Sequence, residues 1–465
     1  MNFMGIDIGT TSIKTAVFDE SLEQKISLTA DYTLDAHGDV VEFDAEQYWQ
    51  LVKGTIETAT KEYAVKALSV DTQCETLILT DEEGTPLRPA IVWLDNRATE
   101  EAELIAQHFG HRRVYEVTGQ PEITATWPAC KLLWVKRHEP EIFAKVKRVF
   151  LLEDWILFKM TGKFVSEKTL QSSTIYFDIH KAAWWQEMLD FIGVTKDMLP
   201  TLYSSAVKIG DYCGMQVVTG AIDQIAGAIG AGVVKPGIVS VMTGTTMVLF
   251  MPATDVPPYD PTSIVPCHYN YDDKYCLLSW TPTAGMALKW FKNALCEQFS
   301  FRELDELAAA VPPGSDGLTF LPYLCGSTMP KYNPDARGCF VGLTTEHGRG
   351  HFVRAVMESV ACMLKSNLDY LGLDVQEIRA MGGGANSPLW CQMKADLTGK
   401  RLITLKNKET ACLGSAILAA VGVGAFASVE EATQLLKTDL IYQSSGADYT
   451  ACYEKYLACD KLLNN

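Results

Sequence analysis

Residues 5–14 read Gly5-Ile6-Asp7-Ile8-Gly9-Thr10-Thr11-Ser12-Ile13-Lys14. Apolar runs at 4–8 and 13–18 flank Gly9-Thr10-Thr11-Ser12, which gives a strand, a tight turn and a second strand. The theme returns as Gly237-Ile-Val-Ser-Val-Met-Thr243, then Gly244-Thr245-Thr246, then Met247-Val-Leu-Phe-Met251. The two turn glycines are 244 − 9 = 235 positions apart, half of the 465-residue chain. An isolated Gly-Thr-Thr match carries little weight. A match with the same flanking strands at half the length points to two related α/β domains facing each other, expected at 1–232 and 233–465.

Outward from these anchors, residues 26–34 read as a third strand. Asp44-Ala-Glu-Gln47 has capping-box spacing ahead of a helix through about Tyr63, with Tyr48, Leu51, Val52, Ile56 and Ala59 on one face. Ala67 to Val70 resumes strand character and runs into Asp71-Thr72-Gln73-Cys74-Glu75. From about 98 to 200 the pattern is mostly helical. Near the end, Ile378-Arg-Ala-Met-Gly-Gly-Gly-Ala-Asn-Ser-Pro-Leu-Trp390 reads as a strand, a glycine turn and a helix, with Ser387 as N-cap and Pro388 in the first turn. Trp127 and Trp280 are assigned to core packing.

Composition narrows the function. A net charge of −17 and a pI near 5.0 disfavour binding to a phosphate backbone. The most apolar stretch, Ala416 to Phe426, is about half the roughly 20 residues that a membrane span needs. Thirteen cysteines without a C-x-x-C pair fit a reducing cytosol, so the expected location is cytoplasmic. His347 and His351 are spaced as helix-borne metal ligands but have only Glu346 nearby as a third.

Three glycine-bearing turns follow strands, at 9–12, 244–246 and 382–386. None matches the Walker or dinucleotide-binding pattern. Gly-Thr-Thr turns nonetheless present N–H groups and hydroxyls suited to phosphate oxygens, and Lys14 could neutralise phosphate charge. Asp7 at a strand end is compatible with phosphate only through a Mg²⁺ ion. Asp223, in Gly220-Ala-Ile-Asp-Gln-Ile-Ala-Gly-Ala-Ile-Gly230, places a charge among small apolar residues. Such a group needs a partner or a task, and a carboxylate there could take a proton from an attacking hydroxyl. The plain alternatives are ordinary hairpin turns and a helix N-cap aspartate.

In order along the chain, these residues resemble the FGGY carbohydrate kinases, which include glycerol kinase and xylulokinase. Gly5 to Lys14 is similar to the family's first phosphate motif, and Trp93-Leu-Asp-Asn-Arg97 to its W-x-D-x-R element. Lys131-Leu-Leu-Trp134-Val-Lys-Arg-His138 resembles the first family signature. Asp223-Gln224 is similar to the catalytic-base motif and Gly244-Thr245 to the second phosphate motif. Ala284-Gly285-Met-Ala-Leu-Lys289-Trp290 and Gly383-Gly-Ala-Asn386 resemble the nucleotide-binding pair.

The resemblance implies two actin-like (ribonuclease H-like) ATPase domains with ATP and sugar in the cleft between them. Thr10, Thr11, Ser12, Lys14, Gly244 and Thr245 would contact phosphates, and Gly285, Lys289, Gly384 and Asn386 the nucleoside. Asp7 and Asp223 would flank Mg²⁺, with Asp223 as base. Gln73, Glu75, Trp93 and Gln224, with Asp223, would meet the substrate, and Arg97 could line the same pocket. Gln73-Cys74-Glu75-Thr76 departs from glycerol kinase's Q-R-E-T at Cys74, and Gly326-Ser-Thr-Met-Pro330 lacks the Glu-Arg of many relatives.

The implied activity is ATP-dependent phosphorylation of a terminal hydroxyl, on a ketopentose such as xylulose or on a small polyol. A non-catalytic actin-like ATPase and a sugar sensor stay open as rivals. The implied partners are small molecules, with neither nucleic acid nor membrane, and a homodimer is compatible.

Overall fold

The computed structural model describes residues 1–463. Strands β1 (Asn2–Ile8), β2 (Ser12–Asp19), β3 (Gln24–Asp31), β4 (Ala67–Thr72), β5 (Lys208–Tyr212) and β6 (Met215–Ile222) form one sheet, in the order β5-β6-β4-β1-β2-β3. The β1–β2 and β2–β3 pairs are antiparallel. The β1–β4 and β4–β6 pairs are parallel, and β5 closes the edge antiparallel to β6.

The second sheet repeats this plan. It contains β7 (Ile238–Thr243), β8 (Met247–Ala253), β9 (Cys267–Tyr269), β10 (Tyr275–Thr281), β11 (Glu377–Met381), β12 (Arg401–Leu405) and β13 (Thr438–Tyr442), in the order β9-β10-β8-β7-β11-β12-β13. The pairs β7–β8 and β8–β10 are antiparallel, β7–β11 and β11–β12 are parallel, and β13 closes the edge antiparallel. Strand for strand, β3-β2-β1-β4-β6-β5 corresponds to β10-β8-β7-β11-β12-β13, with β9 added outside. The repeated strand–Gly-Thr-Thr–strand unit is therefore the centre of each sheet, and the architecture is that of two actin-like ATPase domains.

Helix α1 (Ala45–Glu62) buries Tyr48, Trp49, Val52, Ile56 and Ala59. Its N-cap is Asp44, whose carboxylate accepts from Glu46 N–H; Gln47 does not complete the box. Helix α2 (Pro128–His138) and α3 (Asp223–Gly230) follow in the first lobe. The second lobe contributes α4 (Gly285–Leu295), α5 (Pro388–Thr398) and α6 (Thr410–Gly422). Helix α5 is capped by the Ser387 hydroxyl, which accepts from Trp390 N–H.

One reading is corrected and one refined. The segment 98–200 is mostly helical, and its short strands include Arg148–Leu151, which joins a small sheet with Asp35–His37, Val40–Phe43, Leu77–Thr80 and Ala90–Ile91. Strands of two to four residues are too short to show a period. Trp280 lies on β10 with 45% of its surface exposed, whereas Trp127 does pack against the core.

Helix α6 crosses between the lobes. It follows β12 in sequence yet packs on β1, β4 and α3 of the first lobe. Glycine makes this possible, since a Cβ on Gly5 would run into the Cys412 carbonyl. A helix of the second lobe is thus seated tightly on the first lobe's sheet.

Candidate active site

Parallel strands end together, so residues far apart in sequence meet at one sheet edge. Asp7 on β1 pairs in register with Asp71 on β4, and Thr72 pairs with Ile222, the residue before Asp223. Three carboxylates therefore stand at the ends of three neighbouring strands. Burial pushes Asp7 up to about 6, against the pull of Lys14. Burial, and then the charge of Asp7, push Asp223 up to about 7. Asp71 is fully buried and held well above the usual carboxylate range by burial and by Asp7. One oxygen of Asp71 accepts from the Ser415 hydroxyl of α6 at 2.5 Å, while Oδ1 is buried without a partner.

Asp223 begins α3, and its Oδ1 accepts from Gln224 N–H at 2.8 Å. The Cys74 thiol sits 3.9 Å from the same oxygen and 3.5 Å from Gln224 Oε1. Burial drives the Cys74 thiol well above its ordinary range, so it is a neutral neighbour of the acid.

Glu75 is next to this group. Its backbone is left-handed, φ +59°, and burial pushes its carboxyl up to about 8, opposed by Lys131 and aided by Asp223. The Trp93 indole N–H donates to the Thr10 hydroxyl at 3.0 Å, which ties this wall to the first Gly-Thr-Thr turn. Gln73 is buried, and its amide donates to Tyr48 OH at 3.1 Å, away from Glu75. Arg97 is occupied by Asp95 and Glu42.

The first turn is closed by Gly9 N–H donating to Ser12 O at 3.0 Å and by the Tyr32 hydroxyl on Gly9 O. Thr11 is exposed, with Thr10 and Ser12 half-buried. Lys14 reaches across to the other lobe, its ammonium 2.7 Å from Glu409.

The second turn is braced by Gly285 N–H on Gly244 O at 2.8 Å and by Ala284 N–H on Thr245 O at 3.0 Å. A Cβ on Gly285 would collide with the Gly244 carbonyl, so α4 starts flush against the turn. Beside it opens a cavity of about 840 Å³ lined by Gly244, Thr245, Gly285, Lys289, Gly384 and Asn386, with an apolar flank of Leu288, Pro388 and Leu389. That volume suits a nucleotide. Every residue nominated from the second lobe's sequence lines this one cavity. Of those nominated from the first lobe, Asp7, Glu75, Asp223 and Gln224 gather at the carboxylate edge, whereas Gln73 is turned to Tyr48 and Lys14 to Glu409.

Sequence reasoning passed over Asp71, Ser415, Glu409 and Lys394, whose fully buried ammonium donates to the Thr243 hydroxyl at 2.8 Å. Only for Asp71 was a signal present: an acid at a strand end, as for Asp7.

The N-terminal domain of the FGGY family of carbohydrate kinases matches residues 2–231, and its C-terminal domain matches residues 239–423. The chain belongs to this family. It is 30% identical over 470 residues to xylulose kinase from Escherichia coli K12, covering 97% of this chain and 96% of that protein. It is 28% identical over 497 residues to gluconokinase from Bacillus subtilis, covering 99% and 96%. The crystal structure of xylulose kinase from Rhodospirillum rubrum superposes with a TM-score of 0.91 at 26% identity, covering 100% of this chain and 99% of that one. This FGGY protein is accordingly a carbohydrate kinase, and sugar kinases of the family use ATP. Among the described residues, no helix is long and apolar enough to cross a membrane.

Proposed function

We propose that this kinase transfers the γ-phosphoryl of ATP to a terminal hydroxyl of a small neutral sugar, a ketopentose such as xylulose, with Asp223 as general base. The lobes doing this are residues 1–232 and 233–465. The observation that carries the reading is the position of Asp223. It opens α3 at the carboxylate edge, beside Glu75 and Gln224, where a carboxylate can accept the proton of a hydroxyl.

A divalent cation fits the residues present. Asp7 and Asp223 offer hard oxygen donors, and buried Asp71 keeps one oxygen unpartnered beside them, the donor chemistry Mg²⁺ selects. Mg²⁺ held by Asp7 and Asp223 would supply charge neutralisation for the phosphates. The chain's own residues do the rest. Thr10, Thr11 and Ser12 meet the transferred phosphoryl from one side, and Gly244 and Thr245 meet the phosphates from the other. Gly285, Lys289, Gly384 and Asn386 hold the nucleoside. Glu75 and Gln224 orient the sugar, and Asp223 takes the proton of the attacking hydroxyl. Catalysis of this kind is positioning plus electrostatics.

The similarity to gluconokinases favours a second reading, a sugar acid. The acceptor wall argues against it: it offers the carboxyl groups of Asp223 and Glu75, and the cation beside them, Lys131, is fully buried and taken up by the Val92 and Glu75 carbonyls. A coupled ADP-release assay across ketoses, aldoses, polyols and gluconate tests the proposal. The highest kcat/KM is expected for a neutral ketopentose. Preference for gluconate, or ADP release independent of any sugar, would overturn it.

A further inference from the structure

Lys131 lies on α2 with 0% of its surface exposed. A buried ammonium is costly unless it is paired and hydrogen-bonded. It donates to the carbonyl oxygens of Val92, at 2.9 Å, and Glu75, at 3.2 Å. The acidic side chains facing it are Glu75 and Asp95.

Both carbonyls belong to segments that build the acceptor side. Glu75 is a non-glycine residue in the left-handed region, a conformation that persists only where surroundings hold it, and such residues cluster at functional sites. Val92 precedes Trp93, whose indole donates to Thr10 of the first phosphate turn. Trp93 is itself pinned through its carbonyl, which accepts from the Thr126 hydroxyl at 2.6 Å. One ammonium thus joins the loop carrying Glu75 to the strap that steadies Thr10. Nothing in this arrangement reaches the nucleotide cavity of the other lobe.

We propose that Lys131 is a positioning residue for the acceptor sugar, fixing the Glu75 backbone so that its carboxyl faces the substrate beside Asp223. It acts through Glu75 and does not touch the reacting atoms. The inference rests on the sugar-kinase reading above.

The test uses the full chain and D-xylulose, or whichever neutral sugar in the panel the wild type turns over fastest. Lys131→Met should raise the KM for that sugar by at least about tenfold, with kcat reduced less. The KM for ATP and the calorimetric Kd for ADP should stay within about twofold, which a general loss of packing would not allow. Glu75→Gln combined with Lys131→Met removes both charges together, so it leaves no lone buried ion if the single variant fails to fold. Its sugar kcat/KM should lie within about threefold of Glu75→Gln alone, because residues acting as a unit do not add.

An unchanged sugar KM in Lys131→Met, parallel loss of ADP affinity, or multiplicative effects in the double variant would each overturn the inference. A wild type that phosphorylates no sugar would overturn the kinase reading and this inference with it. An active wild type with any of the three results above would overturn this inference alone.

Discussion

The turns at Gly9–Ser12 and Gly244–Thr246 occupy matching places in sheets of matching strand order, yet they are surrounded by different chemistry. Two residues before Gly9 stands Asp7, facing Asp71 across the parallel pair. Two residues before Gly244 stands Met242, and under that turn lies the ammonium of Lys394 on Thr243. One duplicated scaffold therefore carries an acidic edge in one lobe and an apolar-flanked cavity in the other. Strand order supplies two matching turns, and under the proposed function the residues at the strand ends decide which of them does proton chemistry.

The division can be broken most severely at Asp223. Asp223→Asn should cost on the order of 10²–10⁴ in turnover, the usual worth of a general base, while ADP affinity measured by calorimetry is unchanged. Full sugar-dependent activity would remove Asp223 as base. On the other side, Gly285→Ala forces a Cβ against the Gly244 carbonyl. The KM for ATP should rise by about tenfold, equivalent to 1.4 kcal/mol of lost binding, with the sugar KM steady. If both constants move together, the lobes are not separable in this way.

Stability should show the same asymmetry. The first lobe buries a second acid cluster in which burial pushes Glu167 to about 7, Asp154 to about 8 and Glu153 well above its usual range. The folded chain retains protons that the unfolded chain releases near the ordinary values of 3.8 and 4.5. That stability is complete below those values and is lost as pH rises through about 7 to 8. Melting followed by calorimetry should fall by several degrees between about pH 5 and 9, and a flat profile would contradict the cluster's burial. The smallest effect is expected at the bridge between lobes. Lys14 and Glu409 are about one-third exposed, so Glu409→Gln should shift unfolding free energy by less than about 1 kcal/mol, as measured by urea titration.

Much of this was readable from local pattern. The strand–turn–strand repeat, the Ser387–Pro388 helix start and the position of Asp223 each depend on neighbours in sequence. What escaped depends on neighbours in space. Asp71 matters because parallel pairing sets it against Asp7, and Glu409 because α6 crosses to the first lobe. Gln73 looks like a substrate contact in a Q-x-E-T string, yet it follows the last residue of β4 and its amide is taken by Tyr48 of α1. Lys131 and Lys394 sit in ordinary helical patterns, and only the packing shows that their ammonium groups are sealed inside. Trp280 fits an apolar strand equally well on either face.

The most direct test is a crystal structure of the full chain with Mg²⁺, a non-hydrolysable ATP analogue and a ketopentose. The nucleoside should lie in the cavity between Gly285 and Gly384, the triphosphate should be gripped by Thr10–Ser12 and Gly244–Thr245, and a terminal sugar hydroxyl should be within hydrogen-bond reach of Asp223. A sugar bound out of reach of Asp223, or phosphates contacting only one of the two turns, would contradict the account.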